Sequence, residues 1–263
     1  MCLAEYDKID TNVYLSRYPF RRLPGDEPQE LVGKLHRNQV VRAWCGSFDA
    51  LMHRDLGAVN RRLADDCRRF GNGLLVPFGT VNPAMPDWQE ELRRCHEDYR
   101  MPGVRLHPGY HGYTLGDRAF VDLLQAATRR RMIVQIVMLG EDERTQHPMV
   151  RVPPVDSAKL LDPLASVAGA RVQLLNVLRT APDVLRKLMA AGHVYLDLAM
   201  VENTHGIEML LKLVPPERVC LGSYFPFYYW EAAALKVREA ALLEPQERAL
   251  FYDNAAKLFG SAR

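Results

Sequence analysis

The sequence predicts a closed (β/α)8 TIM barrel with an extra C-terminal helix, built as one domain over residues 1–263. Three observations predict it. Strand-like and helix-like stretches alternate to the end of the chain, and eight strands can be counted. Each strand is mostly apolar, as expected of parallel strands covered on both faces. A length of 263 residues also suits a single barrel of this kind.

The elements follow in order. KIDTNVYL (8–15) is the first strand and EPQELVGKLHRN (27–38) its helix. VVRAWC (40–45) is the second, followed by RDLGAVNRRLADDCRRFG (54–71). GLLVPFGTV (73–81) precedes PDWQEELRRCHEDY (86–99), where Asp87 is placed to cap the helix. GVRLHP (103–108) is the fourth strand and DRAFVDLLQAATRRR (117–131) its helix. MIVQIVML (132–139) runs into a long loop before DSAKLLDPLASVA (156–168). RVQLLNVL (171–178) and HVYLDLAM (193–200) are strands six and seven, each with its helix, APDVLRKLMAAG (181–192) and GIEMLLKLV (206–214). RVCLGS (218–223) is the eighth strand, followed by the helix WEAAALKVREAAL (230–242). EPQERALFYDNAAKLFG (244–260) is the extra helix.

Composition narrows the functional class. The chain is 48% apolar and 25% charged, as soluble globular proteins are. A net charge of +2 is too mild to argue for nucleic acid. The basic runs RRL, CRRFG and TRRRM are assigned to helix ends, where cations meet the C-terminal dipole. Cys2, Cys45, Cys67, Cys95 and Cys220 form no CxxC and suit buried thiols in a reducing compartment. The first residues, MCLAEYDKID, carry charge early and hold no apolar signal core, so a cytoplasmic location is expected. No stretch reaches the roughly 20 apolar residues of a membrane span. Neither GxGxxG after the first strand nor GxxxxGK[ST] is present, which weakens nucleotide-binding readings.

In such a barrel the site lies at the C-terminal strand ends. Side chains alternate along a strand, so polar residues two apart share a face. That rule selects Asn12 and Tyr14 on the first strand, Arg105 and His107 on the fourth, and Gln135 on the fifth. Asn176 ends the sixth strand, Asp197 lies in the seventh, and Tyr224 follows the eighth.

The order GVRLHP, RVQLLN, VYLDLA, RVCLGSYFP and NAAKLFG resembles the amidohydrolase superfamily, and within it the amidohydrolase-2 type of barrel. The resemblance covers most of the chain and implies lactonase- or decarboxylase-like chemistry. Its usual metal ligands do not carry over. The first-strand His-x-His falls on Asn12 and Tyr14, the fifth-strand His near Val137 or Met138, and the sixth-strand His on Asn176. The eighth-strand Asp of a GSD-x-P turn falls on Tyr224. Asn and Tyr are hydrogen-bonding groups and poor ligands for a divalent transition metal, so no metal and no cofactor is expected.

The loop LGEDERTQHP (139–148) supplies other candidates. Asp142 or Glu141 is a candidate general base, and His147 or His107 a candidate acid or orienting group. Arg105 and Arg144 are candidates to clamp a substrate carboxylate. Asn12, Tyr14, Gln135 and Asn176 would bind substrate, and Tyr14, Asn176 or Tyr224 would steady an oxyanion. The other reading of the loop is a solvated surface with local ion pairs. Asp197 is either catalytic or a partner for an interior arginine. His111 and Tyr113 read as surface loop residues, while Ser47 and Asp49 are placed near the site. Arg17, Arg21 and Arg22 suit an anionic ligand or a second subunit, and Trp230 and Phe251 read as core.

The preferred function is metal-independent hydrolysis of a small carboxylated molecule, a lactone or cyclic amide. The alternatives are a non-oxidative decarboxylase and a non-catalytic small-molecule-binding barrel. The expected partner is a small carboxylate-bearing ligand, with no nucleic acid and no membrane; a homo-oligomer is open.

Overall fold

The structure is a computed structural model that describes residues 6–178 and 180–260; Cys2 and the opening MCLAE lie outside the described residues. Among the described residues, eight parallel strands occupy Lys8–Leu15 (β1), Val40–Ser47 (β2), Leu75–Pro77 (β3), Gly103–Leu106 (β4), Ile133–Val137 (β5), Arg171–Leu175 (β6), His193–Asp197 (β7) and Val219–Cys220 (β8). They form two ladders, β1-β2-β3 and β4-β5-β6-β7-β8. Single-residue bridges, Gly79 to Val104 and Val13 to Phe225, join the ladders into a ring. On the second seam the Thr11 N–H donates to the Leu221 carbonyl, and the Tyr224 N–H to that of Asn12.

The helices form the outer layer because each presents one apolar stripe. In Arg118–Arg129 the buried Phe120, Leu123, Leu124 and Ala127 recur at helical spacing. The helix Leu56–Gly71 starts where the Asp55 carboxylate accepts from Ala58 N and stops at left-handed Asn72. Asp87 does precede Trp88–Arg93, but its side chain makes no capping hydrogen bond. CRRFG and TRRRM fall at helix ends as expected; Arg21, Arg22 and Leu23 lie in the loop after β1 instead. The extra helix is three pieces, Glu244–Arg248, a π-helical turn and Asn254–Gly260. Leu258 and Phe259 of the last piece pack with Ile9, Trp44, Ile133 and Tyr195. Trp230, Phe251, Cys45, Cys67, Cys95 and Cys220 are all buried. Among the described residues no helix is long and apolar enough to cross a membrane.

Candidate active site

β1 is buried along its whole length, including Asp10, Thr11 and Asn12. Buried polar groups need partners, and these find them across the barrel rather than along the chain. The Arg105 guanidinium donates to Gln135 Oε1 (2.8 Å) and to the carbonyls of Val13 (2.8 Å), Thr11 (3.1 Å) and Trp44 (2.9 Å). Its face lies 4.6 Å from the Tyr14 ring centre. Gly46 makes the room: a Cβ there would stand 2.8 Å from Arg105 Cδ. Gln135 continues the network to Gln173 Oε1, and Gln173 to Thr11 Oγ1.

Above this layer, Asn12 Nδ2 donates to Asn176 Oδ1 at 2.8 Å and to Asp197 Oδ2 at 2.6 Å. Asp197 Oδ1 accepts from the Asn176 main-chain N–H at 2.8 Å. Gly222 lets the Asp197 side chain approach, since a Cβ there would meet Asp197 Cβ at 2.6 Å. Desolvation raises the Asp197 carboxyl to about 7, against hydrogen bonds from Asn176 and Asn12 that lower it. Asp10, held by Ser223, the Asn12 N–H and Trp230 Nε1, is likewise raised by burial to about 6.

The mouth is lined by rings. Tyr14 stacks on Phe48 with centroids 4.4 Å apart, and Tyr224 stacks on Phe227 at 4.7 Å. Tyr14 Oη lies 3.0 Å from His107 Nε2, whose other ring nitrogen is buried without a partner. Burial lifts Tyr14 to about 12 and holds His107 well below its ordinary value. Tyr224 and Asn176, both at strand ends, adopt left-handed φ of 58°. Asparagine tolerates this region, whereas a tyrosine there is uncommon. These conformations turn Asn176 onto Asn12 and the Tyr224 hydroxyl onto the Gly140 carbonyl, 2.6 Å away.

The loop after β5 covers this floor. Glu141 is buried, accepts from the Tyr18 hydroxyl at 2.7 Å, and pairs with Arg21. Arg21 also lies over the Tyr18 and Phe227 rings. The hollow left between loop and strand ends is about 20 Å³, bounded by Met138, Leu139, Asp142, Val155, Asn176 and Leu178. That is room for about one water.

The structure thus gathers Asn12, Tyr14, Arg105, His107, Gln135, Asn176 and Tyr224 in the barrel, with Glu141 in its cover. It does not gather Arg144 or His147. Arg144 is 85% exposed and forked onto Asp142, because a carboxylate two residues away is nearer than the mouth. His147 stacks on Phe20 on the outer side of the loop. Asp142 borders the hollow, yet Arg144 occupies both of its oxygens, which makes it a weak candidate for a base. Nor can Arg105 clamp a substrate, since its donors already serve interior acceptors. Ser47 ends β2 and Asp49 lies in the short helical turn after it: the Ser47 hydroxyl accepts from Asp49 N, and Asp49 pairs with Arg62. Tyr113 is buried and His111 part-buried, the latter hydrogen-bonded to the Ala50 carbonyl, so neither is a surface residue. The sequence reading missed Asp10, Thr11, Tyr18, Gln173 and Ser223. Period-two alternation from Asn12 and Tyr14 could have found Asp10, whereas Tyr18 lies beyond any strand.

A family model described as amidohydrolase matches residues 26–261. No curated protein matches this chain. Among solved structures, 2,6-dihydroxybenzoate decarboxylase from Rhizobium is 11% identical, with TM-score 0.73 over 96% of this chain and 98% of that one. A dihydroxybenzoic acid decarboxylase from Polaromonas sp. JS666, with bound manganese and the inhibitor 2-nitroresorcinol, is 11% identical, with TM-score 0.74 over 97% of both chains. An uncharacterized TIM-barrel protein from Bordetella bronchiseptica is 13% identical, with TM-score 0.74 over 97% of this chain and 99% of that one. The residues here do not fit such a metal. Among the described residues no three His, Cys, Asp or Glu come together in a ligating group. Asp197 has both oxygens engaged by N–H donors. The one unpartnered oxygen beside it, Asn12 Oδ1, is neutral, and a divalent transition metal asks for about three His, Cys or carboxylate ligands.

Proposed function

Since this chain belongs to the amidohydrolase family, we propose that it is a metal-independent lyase that decarboxylates a small aromatic acid beneath its strand-five loop. The observation that carries the reading is the protonation of the mouth. Asp197 sits near 7 and Tyr14 near 12, both raised by burial, while His107 is neutral and weakly basic. Of the three, only Asp197 is poised to hold and release a proton near neutral pH; Tyr14 is a weaker acid for its raised value and stays a neutral hydroxyl. Hydrolysis of a lactone or amide needs an activated water or nucleophile, and the ionised form of Asp197, the candidate base, has both oxygens engaged by the N–H donors of Asn12 and Asn176.

Decarboxylation needs what the site offers. Asp197 gives its proton to the ring carbon that bears the carboxylate. The bond from that carbon to the carboxylate then breaks, its electrons restore the aromatic ring, and CO₂ leaves. Asp197, now ionised, regains a proton from water. A carboxyl held protonated by its surroundings is a known device for acid chemistry near neutral pH. With the loop lifted, an aromatic ligand meets the cluster that Tyr14, Phe48, Tyr224 and Phe227 form with one another at the mouth. The hollow of about 20 Å³ requires the strand-five loop to lift before a ligand enters. The likeness to dihydroxybenzoate decarboxylases supports the substrate class.

A second reading is favoured by a different observation. Asn12, Asn176 and Asp197 satisfy one another, as a site emptied of chemistry would. The protein would then bind such an acid and release it unchanged. One experiment separates the two readings: chelator-treated protein is incubated with 2,6-dihydroxybenzoate or a simple aryl lactone. CO₂ release that persists in chelator and is lost in Asp197→Asn supports the lyase. Binding with quantitative recovery of the acid supports the second reading, and lactone opening overturns both.

A further inference from the structure

At the opposite end of the barrel lies a hollow of about 320 Å³ bordered by Thr128, Arg131, Arg171, His193, Tyr195 and Leu258. Strand register explains the gathering. Arg171 opens β6 and His193 opens β7, and the two are partners in the parallel ladder. Arg131 comes just before Ile133, the partner of Arg171 on its other side. Arg218 directly precedes β8 and lays its guanidinium 5.0 Å from the centre of the Tyr195 ring. β6 and β7 therefore begin at a basic side chain, and β5 and β8 each follow one within two residues.

No Asp or Glu borders this hollow. Among the described residues, none of the four basic groups has a carboxylate partner. Arg171 instead donates to the main-chain carbonyls of Arg131 and Leu258. Burial and the charge of Arg131 push the Arg171 guanidinium below its ordinary value. Arg218 Nη1 is buried with no hydrogen-bond acceptor. Helices Arg118–Arg129 and Pro182–Ala191 end nearby, and helix C-termini attract cations. That accounts for Arg131 and His193. It leaves unexplained a buried, unanswered donor on Arg218 and a guanidinium on Arg171 that sits at a cost beside another.

The geometry points to an anion site at the N-terminal end of the barrel, separate from the mouth, in which Arg131, Arg171 and His193 receive a phosphate group, with Arg218 adding its charge from beside Tyr195. Guanidinium forks match the oxygens of phosphate, and Tyr195 adds a flat wall. The group is either free phosphate or the phosphate of a small ester, and the chemistry of recognition is shared.

Titration calorimetry tests it on the full chain at fixed ionic strength, with inorganic phosphate, phenyl phosphate and benzoate as probes. The expected result is that at least one phosphate probe binds about tenfold or more tightly than benzoate. The tighter of the two phosphate probes identifies the source. Arg131→Asn, at an exposed position whose left-handed φ of 58° asparagine tolerates, is expected to weaken that binding several-fold. Arg171→Gln is expected to weaken it about tenfold or more. Arg248→Gln, at the surface where Arg248 pairs with Asp253, is expected to leave it unchanged. Phosphate binding no tighter than benzoate overturns the proposal. So does full affinity in Arg131→Asn, which remains decisive where Arg171→Gln fails to fold.

Discussion

The floor of the mouth and the loop above it use similar side chains and differ in what those side chains join. On the floor, Arg105 is wholly buried and serves four acceptors drawn from β1, β2 and β5. In the loop, Arg144 is exposed and serves the carboxylate two residues away. Asn12 reaches Asn176 and Asp197 across the seam where β1 meets β8, while Glu141 is a charged clasp between the loops after β5 and β1. Long-range contacts on the floor tie the position of each group to the closure of the whole barrel. Contacts such as Arg144 to Asp142 and Gln146 to Val152 lie within the loop and do not depend on that closure. A fixed floor and a separable cover are what ligand entry into a hollow of about 20 Å³ requires.

The hardest test of a fixed floor is Arg105→Met, which strips a donor from Gln135 and from carbonyls on β1 and β2. Each buried group left unanswered costs about 1–3 kcal/mol, so a loss above ~3 kcal/mol in urea unfolding is expected. An unchanged midpoint would break the contrast outright. Next comes acidity. Asp197 titrates near 7 when folded, against 3.8 as its ordinary value. Between those values the folded chain holds a proton that the unfolded chain has released. Its contribution is therefore fully present below pH ~4 and is lost as pH rises through ~7, on the order of a few kcal/mol. Asp10 acts in the same direction, near 6. Melting temperatures measured from pH 4 to 8 are expected to fall with rising pH, less steeply in Asp197→Asn; equal slopes would mean the carboxyl is not buried as described.

Smaller effects belong to the cover. Glu141→Gln weakens the clasp to Arg21 and Tyr18. Amide exchange across residues 141–150 is expected to quicken about tenfold with little change in global melting. Acceleration spread over β4 to β7 as well would show that loop and floor form one unit. Smallest is Tyr224→Phe, which removes the hydroxyl bound to Gly140. It is expected to cost about 1 kcal/mol, read in chemical unfolding; a cost well above that would place Tyr224 with the floor.

Much of the floor was legible in the sequence because alternation along a strand reports facing. It puts Asn12 with Tyr14, and Arg105 with His107, on interior faces. Facing does not report depth. Nothing local to GVRLHP says that its arginine points into the barrel core, and that depends on the missing side chain of Gly46 on another strand. Likewise Asn12 and Asp197 stand 185 residues apart, so their bond exists only once the ring closes. In the loop, the charge-rich EDER reads uniformly as solvated. Glu141 is buried because Tyr18 and Arg21 arrive from the loop after β1, and no periodicity links those segments. The first-strand and eighth-strand turn positions without metal-grade ligands were legible directly, since residue identity is enough to decide them.

The two ladders meet at single-residue bridges, and the meetings are unequal. Between β1 and β8 the chain exchanges several main-chain bonds, from Thr11, Tyr14 and Tyr224. Between β3 and β4 the Arg105 N–H reaches the Gly79 carbonyl, and the Thr80 hydroxyl reaches that of Arg105. The ring is thus thinnest where the chain passes through 84–87, a turn exposed to solvent. A barrel of this make behaves like a bracelet with one weak link: severed in that turn, it would leave two interlocking fragments, each carrying an intact ladder, that can find each other again along the stronger edge.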